Sequence, residues 1–327
     1  MNLHFCVLRG GARLVLAAAV LAGAMVASLP ASAGDQEPAF ANMGEVGATQ
    51  RLEVLPLVDW NVAREDLQGE AGVAYLVRTD RNTILFDVGG NLEGRDPSPL
   101  AANMQKLGID IADIDTIVIS HNHMDHVGGR ANTLAKTFSL DAKQQALPGR
   151  RVFVPTEMTY PGLQPVIARE PMVIAPGVAS TGTIRGDLFI GPVDEQALAI
   201  RVAGKGIVLV VGCGHQGLEK LLARAEQLFD EPIYGLIGGL HYPIPGGRWR
   251  MNGVDVQRWA SYGTGAGPSA EDVQREIDLL DGKRLQWVSL SPHDSSDEMI
   301  GAFRKTFGER YHDLRVGESQ VLGAPRK

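Results

Sequence analysis

Apolar positions along the chain fall into two kinds of stretch. Short β-branched runs bounded by turn residues read as strands: "RLEVLPLVD", "GVAYLVR", "NTILFDVGG" and "TIVIS" come first. "RVFVP", "PMVIAPG", "DLFIG", "ALAIRV", "GIVLVVGCGH", "PIYGLIGGLH" and "LQWVSLSPHDSS" follow. Between them lie stretches with helical period. In "SPLAANMQKLG", Ser98 caps a helix, Pro99 occupies its first turn, Gly108 ends it, and Leu100, Met104 and Leu107 share one face. "RANTLAKTF" is again helical, and Leu218, Leu221, Leu222, Ala225 and Leu228 mark a third buried face. Ser269 and Asp272 form a capping box for a helix ending near Gly282. Met299, Phe303 and Phe307 turn the last helix inward before a short closing strand. Strands then a helix, followed by a similar succession, predict two sheets packed together with helices outside. That is an α/β fold of four αββα layers, with two mixed sheets in one domain over residues 51–322 and a tail at 323–327.

Three stretches fall outside this pattern. Residues 1–33 have a basic start at Arg9 and Arg13, an apolar run from about Leu14 to Leu29, and Ala31-Ser32-Ala33 before Gly34. This is the form of a secretory signal peptide cleaved after Ala33, the run being short for a membrane span. It predicts an exported, periplasmic or secreted protein with no membrane association after cleavage. Residues 34–50, small and polar, read as a mobile linker. Residues 244–268, "IPGGRWRMNGVDVQRWASYGTGAGP", carry no period and read as a lid insertion, with Trp249 and Trp259 for stacking and Arg250 as a cation.

Composition narrows the partners. The formal net charge of −7, with no basic run, argues against nucleic acid. Cys6 leaves with the signal, so Cys213 has no intrachain partner despite an export route that permits disulfides. The expected partner is a small-molecule substrate.

Histidine placement changes the picture most. Of the eight histidines, six (His121, His123, His126, His215, His241 and His293) lie in or beside turns that follow apolar runs. "SHNHMDHVGG" holds three of them with Asp125. His121 and His123, two apart in extended chain, can reach one ion. Asp125 and His126 come after the chain must turn, at Gly128-Gly129, and face a second ion beside the first. Further ligands are available in His215, His241 and His293. A borderline-soft cation accepts this mix of nitrogen and oxygen, zinc first and manganese or iron as alternatives.

At these residues the chain resembles the metallo-β-lactamase superfamily, whose H-x-H-x-D-H signature is met by His121, His123, Asp125 and His126. Within it, the chain is most similar to the 7,8-dihydropterin-6-yl-methyl-4-(β-D-ribofuranosyl)aminobenzene 5′-phosphate synthase branch. The similar stretches are "ILFDVGGN", "SHNHMDHVGG", "VGCGHQGLEKLL", "IGGLH" and "SPHDSS…FRKTFG", spanning about Val58 to Val316. The resemblance implies one metal held by His121, His123 and His215 and another by Asp125, His126 and His293. It places His241 nearby as an extra ligand or substrate contact. The chain departs from the pattern twice. No bridging Asp in a Gly-Asp turn is found, and Asp294-Ser295-Ser296 replaces the branch's Cys-Thr-Gly. Cys213 is then a soft ligand, a replacement for that Asp, or simply a small buried residue ending a strand. Asp87 either orients a ligand histidine or serves the turn at Gly89-Gly90. Asp59 and Asn61 are pocket candidates that spacing does not decide.

Two divalent ions with an open position lower the pKa of a bound water from 15.7 to about 7. The hydroxide attacks a carbonyl or phosphoryl centre, with Asp125 orienting it or taking its proton. Metal-assisted hydrolysis is the leading reading. An exported protein has poor access to dihydropterin intermediates, so the branch's synthase reaction is an alternative. The others are a mononuclear iron oxidoreductase on this fold and a non-catalytic periplasmic metal-binding protein.

Overall fold

The computed structural model describes residues 38–251, 253–263 and 267–324. Residues 1–33, read above as a signal peptide, lie outside the described residues. Two sheets stack face to face. The larger runs, in spatial order, Gln320–Gly323, Arg51–Val58, Ala74–Arg78, Thr83–Phe86, Thr116–Val118, Arg151–Val154 and Val166–Ile167. The smaller runs Trp287–Leu290, Ile233–Gly238, Gly206–Val211, Leu198–Val202, Val178–Ser180 and Met172–Ala175. Alternation of side chains along each strand sends one set into the gap between the sheets. There Leu52, Val54, Tyr75, Val77, Phe86 and Val118 meet Val178, Leu198, Ile200, Val208, Val210 and Ile237.

The opposite faces are covered by helices. Pro99–Leu107 lays Leu100 and Met104 on the larger sheet against Leu55, Leu57 and Leu85. Ser98 accepts a hydrogen bond from the Ala101 amide, and Gly108 closes the helix at φ 67°. Leu218–Leu228, Ala270–Gly282 and Asp297–Phe307 cover the smaller sheet. Each buried leucine there contributes about 1.5–3 kcal/mol. The expected capping box between Ser269 and Asp272 is formed in both directions. The four-layer αββα expectation is met.

Two expectations are corrected. Residues 39–50 are laid against the domain instead of forming a linker. Phe40 and Met43 pack on the helical face of the smaller sheet, Val46 and Thr49 are buried, and the Thr49 amide donates to Arg201 O at 2.9 Å. A few apolar side chains and satisfied backbone groups suffice to anchor a segment whose average composition is polar. "DLFIG" is not one strand either. Ile184–Leu188 and Gly191–Glu195 form a hairpin whose tip exposes Phe189 and Ile190.

Parallel pairing fixes where the site forms. Gly238 is in register with Val211 on one side and Leu290 on the other. The loops leaving these three strands therefore emerge side by side. Val118 is likewise aligned with Phe86 and Phe153 in the larger sheet. The histidine-bearing turns follow the ends of these parallel strands, at one edge of the sandwich. Among the described residues, no helix is long and apolar enough to cross a membrane.

Candidate metal centre

The strand Thr116–Val118 runs into Ser120 and the histidine cluster, and Gly206–Val211 into Cys213 and His215. His123 Nδ1 lies 3.0 Å from His215 Nε2, which lies 3.1 Å from His121 Nε2. Nitrogens bound tetrahedrally to one zinc ion at 2.0–2.1 Å would stand about 3.3 Å apart. Beside this trio, Asp125, His126, Cys213 and His293 form a second group, and Cys213, His215 and His241 a third. In each group the ligand atoms lie within 4.8 Å of one another.

Hydrogen bonds behind the rings decide which nitrogen faces inward. Asp87 accepts the Ser120 amide and hydroxyl, both at 2.6 Å, and lies 2.7 Å from His126 Nδ1. With its proton given to Asp87, Ser120 Oγ can only accept from His121 Nδ1 at 2.9 Å. Asp59 repeats the device. It accepts the Ser291 hydroxyl at 2.7 Å, and Ser291 Oγ lies 2.6 Å from His293 Nδ1. His121 and His293 thus carry their protons on Nδ1 and present lone pairs at Nε2, while His126 donates from Nδ1 to Asp87 and turns its Nε2 inward. These inward-facing atoms meet mainly one another, and divalent cations would satisfy them.

Burial and mutual repulsion hold His121, His215 and His293 well below the usual imidazole range, and His123 at about 3. His126 is the exception, pushed up to about 9: burial opposes its charge, but the Asp125, Asp87 and Glu195 carboxylates outweigh it. Burial raises Asp59 to about 6, against the hydrogen bonds from Ser291, Trp60 and Tyr75.

Glu195, which spacing gave no reason to select, is fully buried and holds the second ligand loop. It accepts the Cys213 and Gly214 amides at 2.9 Å each and the His215 amide at 2.7 Å. Its partners lie 18 to 20 residues away and are backbone groups. The one trace in the sequence is an acid set between "GPV" and "ALAIRV". Gln257 was missed as well: its carbonyl lies 2.9 Å from His241 Nε2 and its side chain donates to His293 O.

His241 has left-handed backbone at φ 54°, as does Asp87 at φ 61°. Its amide donates to Asp294, and with Nε2 facing Gln257 its Nδ1 is buried with no hydrogen-bond partner among the described residues. Asp294 and Ser296 thus have work of their own, Ser296 capping Asp297–Phe307.

A cavity of about 320 Å³ opens onto His123, Asp125, His215 and His241. Its walls include Met124, Leu134, Ile190, Trp249, Val256 and Trp259, with Arg130 as a cation. Residues of the expected lid supply Trp249 and Trp259. Arg250 is corrected: it is exposed in a two-residue strand and does not line the cavity. Arg248 instead ties the covering segment down, donating to Pro292 O and Asp297 and stacking over Trp60. Asn61 is absent from the cavity lining.

The solved structure of Tm1679, a metal-dependent hydrolase of the β-lactamase superfamily, superposes with a TM-score of 0.56 at 19% identity, covering 84% of this chain and all of that one. The chain has the metallo-β-lactamase fold. YhfI from Bacillus subtilis, another protein of this fold, matches with a TM-score of 0.52 at 14% identity over 83% of this chain and 99% of its own. The family model of the metallo-β-lactamase superfamily matches residues 67–139, the segment that carries His121 to His126. The chain is also similar to a 7,8-dihydropterin-6-methyl-4-(β-D-ribofuranosyl)-aminobenzene-5′-phosphate synthase of Methanocaldococcus jannaschii. Identity there is 24% over 239 residues, covering 60% of this chain and 79% of that one. The resemblance read from the motifs is therefore met in sequence and in fold.

Proposed function

We propose that the protein is an exported metal-dependent hydrolase acting on a small, largely apolar substrate with one anionic group. The observation that carries this is the pair of adjoining ligand groups, His121/His123/His215 and Asp125/His126/Cys213/His293, at the floor of a cavity that can admit a substrate. Bound there, two divalent ions would supply water acidified into the neutral range and a positive field for a developing oxyanion. Asp125 lines the cavity beside His123, where its carboxylate can orient a water and accept its proton. His241, fixed by the Gln257 carbonyl, forms part of the cavity wall beside His215. Arg130 would pair with the anionic group, while Trp249, Trp259, Ile190 and Leu134 take the apolar part and exclude water.

Elemental analysis of protein isolated from the periplasm, followed by a screen of esters, lactones and phosphodiesters, tests this reading. Two ions per chain and hydrolysis lost in Asp125→Asn are expected. One iron per chain, or full activity in Asp125→Asn, would overturn it. The similarity to a synthase favours a second reading, condensation at the same centre. Product analysis separates them, since condensation joins two substrates without consuming water.

A further inference from the structure

Cys213 stands where the ligand groups meet. Its Sγ belongs to one group with Asp125, His126 and His293, and to another with His215 and His241. His126 Nε2 lies 3.1 Å from it and His293 Nε2 3.2 Å. Both rings turn Nδ1 to the far side, toward Asp87 and Ser291, and aim Nε2 at the one sulfur. The neighbouring carboxylates are engaged elsewhere: Asp87 with Ser120 and His126 Nδ1, Asp59 with Ser291 and Tyr75, Asp294 with the His241 amide, Glu195 with three amides. Among the described residues, none of these four stands between the ligand groups.

We infer that Cys213 Sγ is a ligand shared by both ion positions, a thiolate bridge where a carboxylate would otherwise be needed. This rests on the metal reading above. The loop is built to present the sulfur. Gly212 lets it pass Ser120, whose Oγ a Cβ there would meet at 2.3 Å, and Gly214 takes φ 71°. The Glu195 clamp then fixes Cys213 and His215 together. A thiolate shared by both positions selects zinc, cobalt or iron over manganese and magnesium.

Cobalt(II) titrated into the metal-stripped chain tests the inference by absorption. The wild type should gain sulfur-to-cobalt charge-transfer absorption in the near ultraviolet together with visible ligand-field bands. Cys213→Ser should lose the first and keep the second. Cys213→Asp, expected to hold two cobalt ions without the charge-transfer absorption, serves if the serine variant fails to fold. His123→Ala and His293→Ala, each read at one bound ion per chain, should both retain the absorption. Ligand-field bands in the wild type without charge transfer would overturn the thiolate ligand and leave the metal centre standing. Absorption lost from one histidine variant would confine Cys213 to a single ion and overturn the sharing. A chain that binds no cobalt overturns both readings.

Discussion

At the scale of single residues, the ligands of the centre depend on the carboxylates behind them: Asp87 turns His126, and Glu195 holds the loop of Cys213 and His215. His121, His123, Asp125 and His126 announce themselves because four ligands fall within six positions. Glu195 acts through three backbone amides, a contact that leaves no spacing signature. Its loss should nonetheless be felt: Glu195→Gln keeps the shape but gives up one acceptor oxygen, and metal affinity should fall about 10–100-fold. Competition with a chromophoric chelator measures it; equal affinity in the two proteins would show that the clamp does not matter. Away from the centre, Glu276 accepts the Tyr242 hydroxyl, and burial raises its pKa above the ordinary 4.5. A raised folded value means stability present below about pH 4.5 and lost as pH climbs through the folded pKa. Glu276→Gln, which stays neutral, should therefore gain stability relative to the wild type between about pH 4 and pH 7. Urea unfolding at the two pH values checks the sign.

At the scale of elements, helices were read well because caps and periodic faces are local. Ser98, Gly108 and the Ser269–Asp272 box stand where the sequence puts them. The Ile184–Glu195 hairpin was misread because its tip is apolar, Phe189 and Ile190 being 61% and 56% exposed. An exposed apolar tip makes sense only once the cavity that Ile190 lines is known. The same hairpin supports the metal loop from below. A Cβ at Gly186 would come 2.3 Å from His215 O, so Gly186→Ala must displace a ligand backbone. A cost of about 1–3 kcal/mol and loss of metal are expected, read by thermal melting and metal content. Leu221, fully buried on its helix, should cost about 2–5 kcal/mol as Ala with metal content unchanged, and the pair separates local from general damage.

At the scale of the whole molecule, the candidate ligands come from both sheets. His121 to His126 follow the larger sheet, while Cys213, His215 and His293 follow the smaller. Bound ions would join the two halves of the sandwich, and binding free energy becomes folding free energy. Metal at 1,000 times its dissociation constant would add about 4.1 kcal/mol. Calorimetry with and without chelator should show a lower melting temperature when metal is removed; coincident transitions would argue against ions joining the halves. Asp87 and His241, the two non-glycine residues of the centre with left-handed backbone, each carry a conformational cost of about 1–3 kcal/mol. Glycine at either position would relieve it and abolish the contact that residue makes. Each ion lost would take its folding free energy with it, and Asp87→Gly would also strand the Ser120 and His126 donors in the interior. Libraries screened for heat resistance with metal present should therefore retain Asp87 and His241 in spite of their backbone cost.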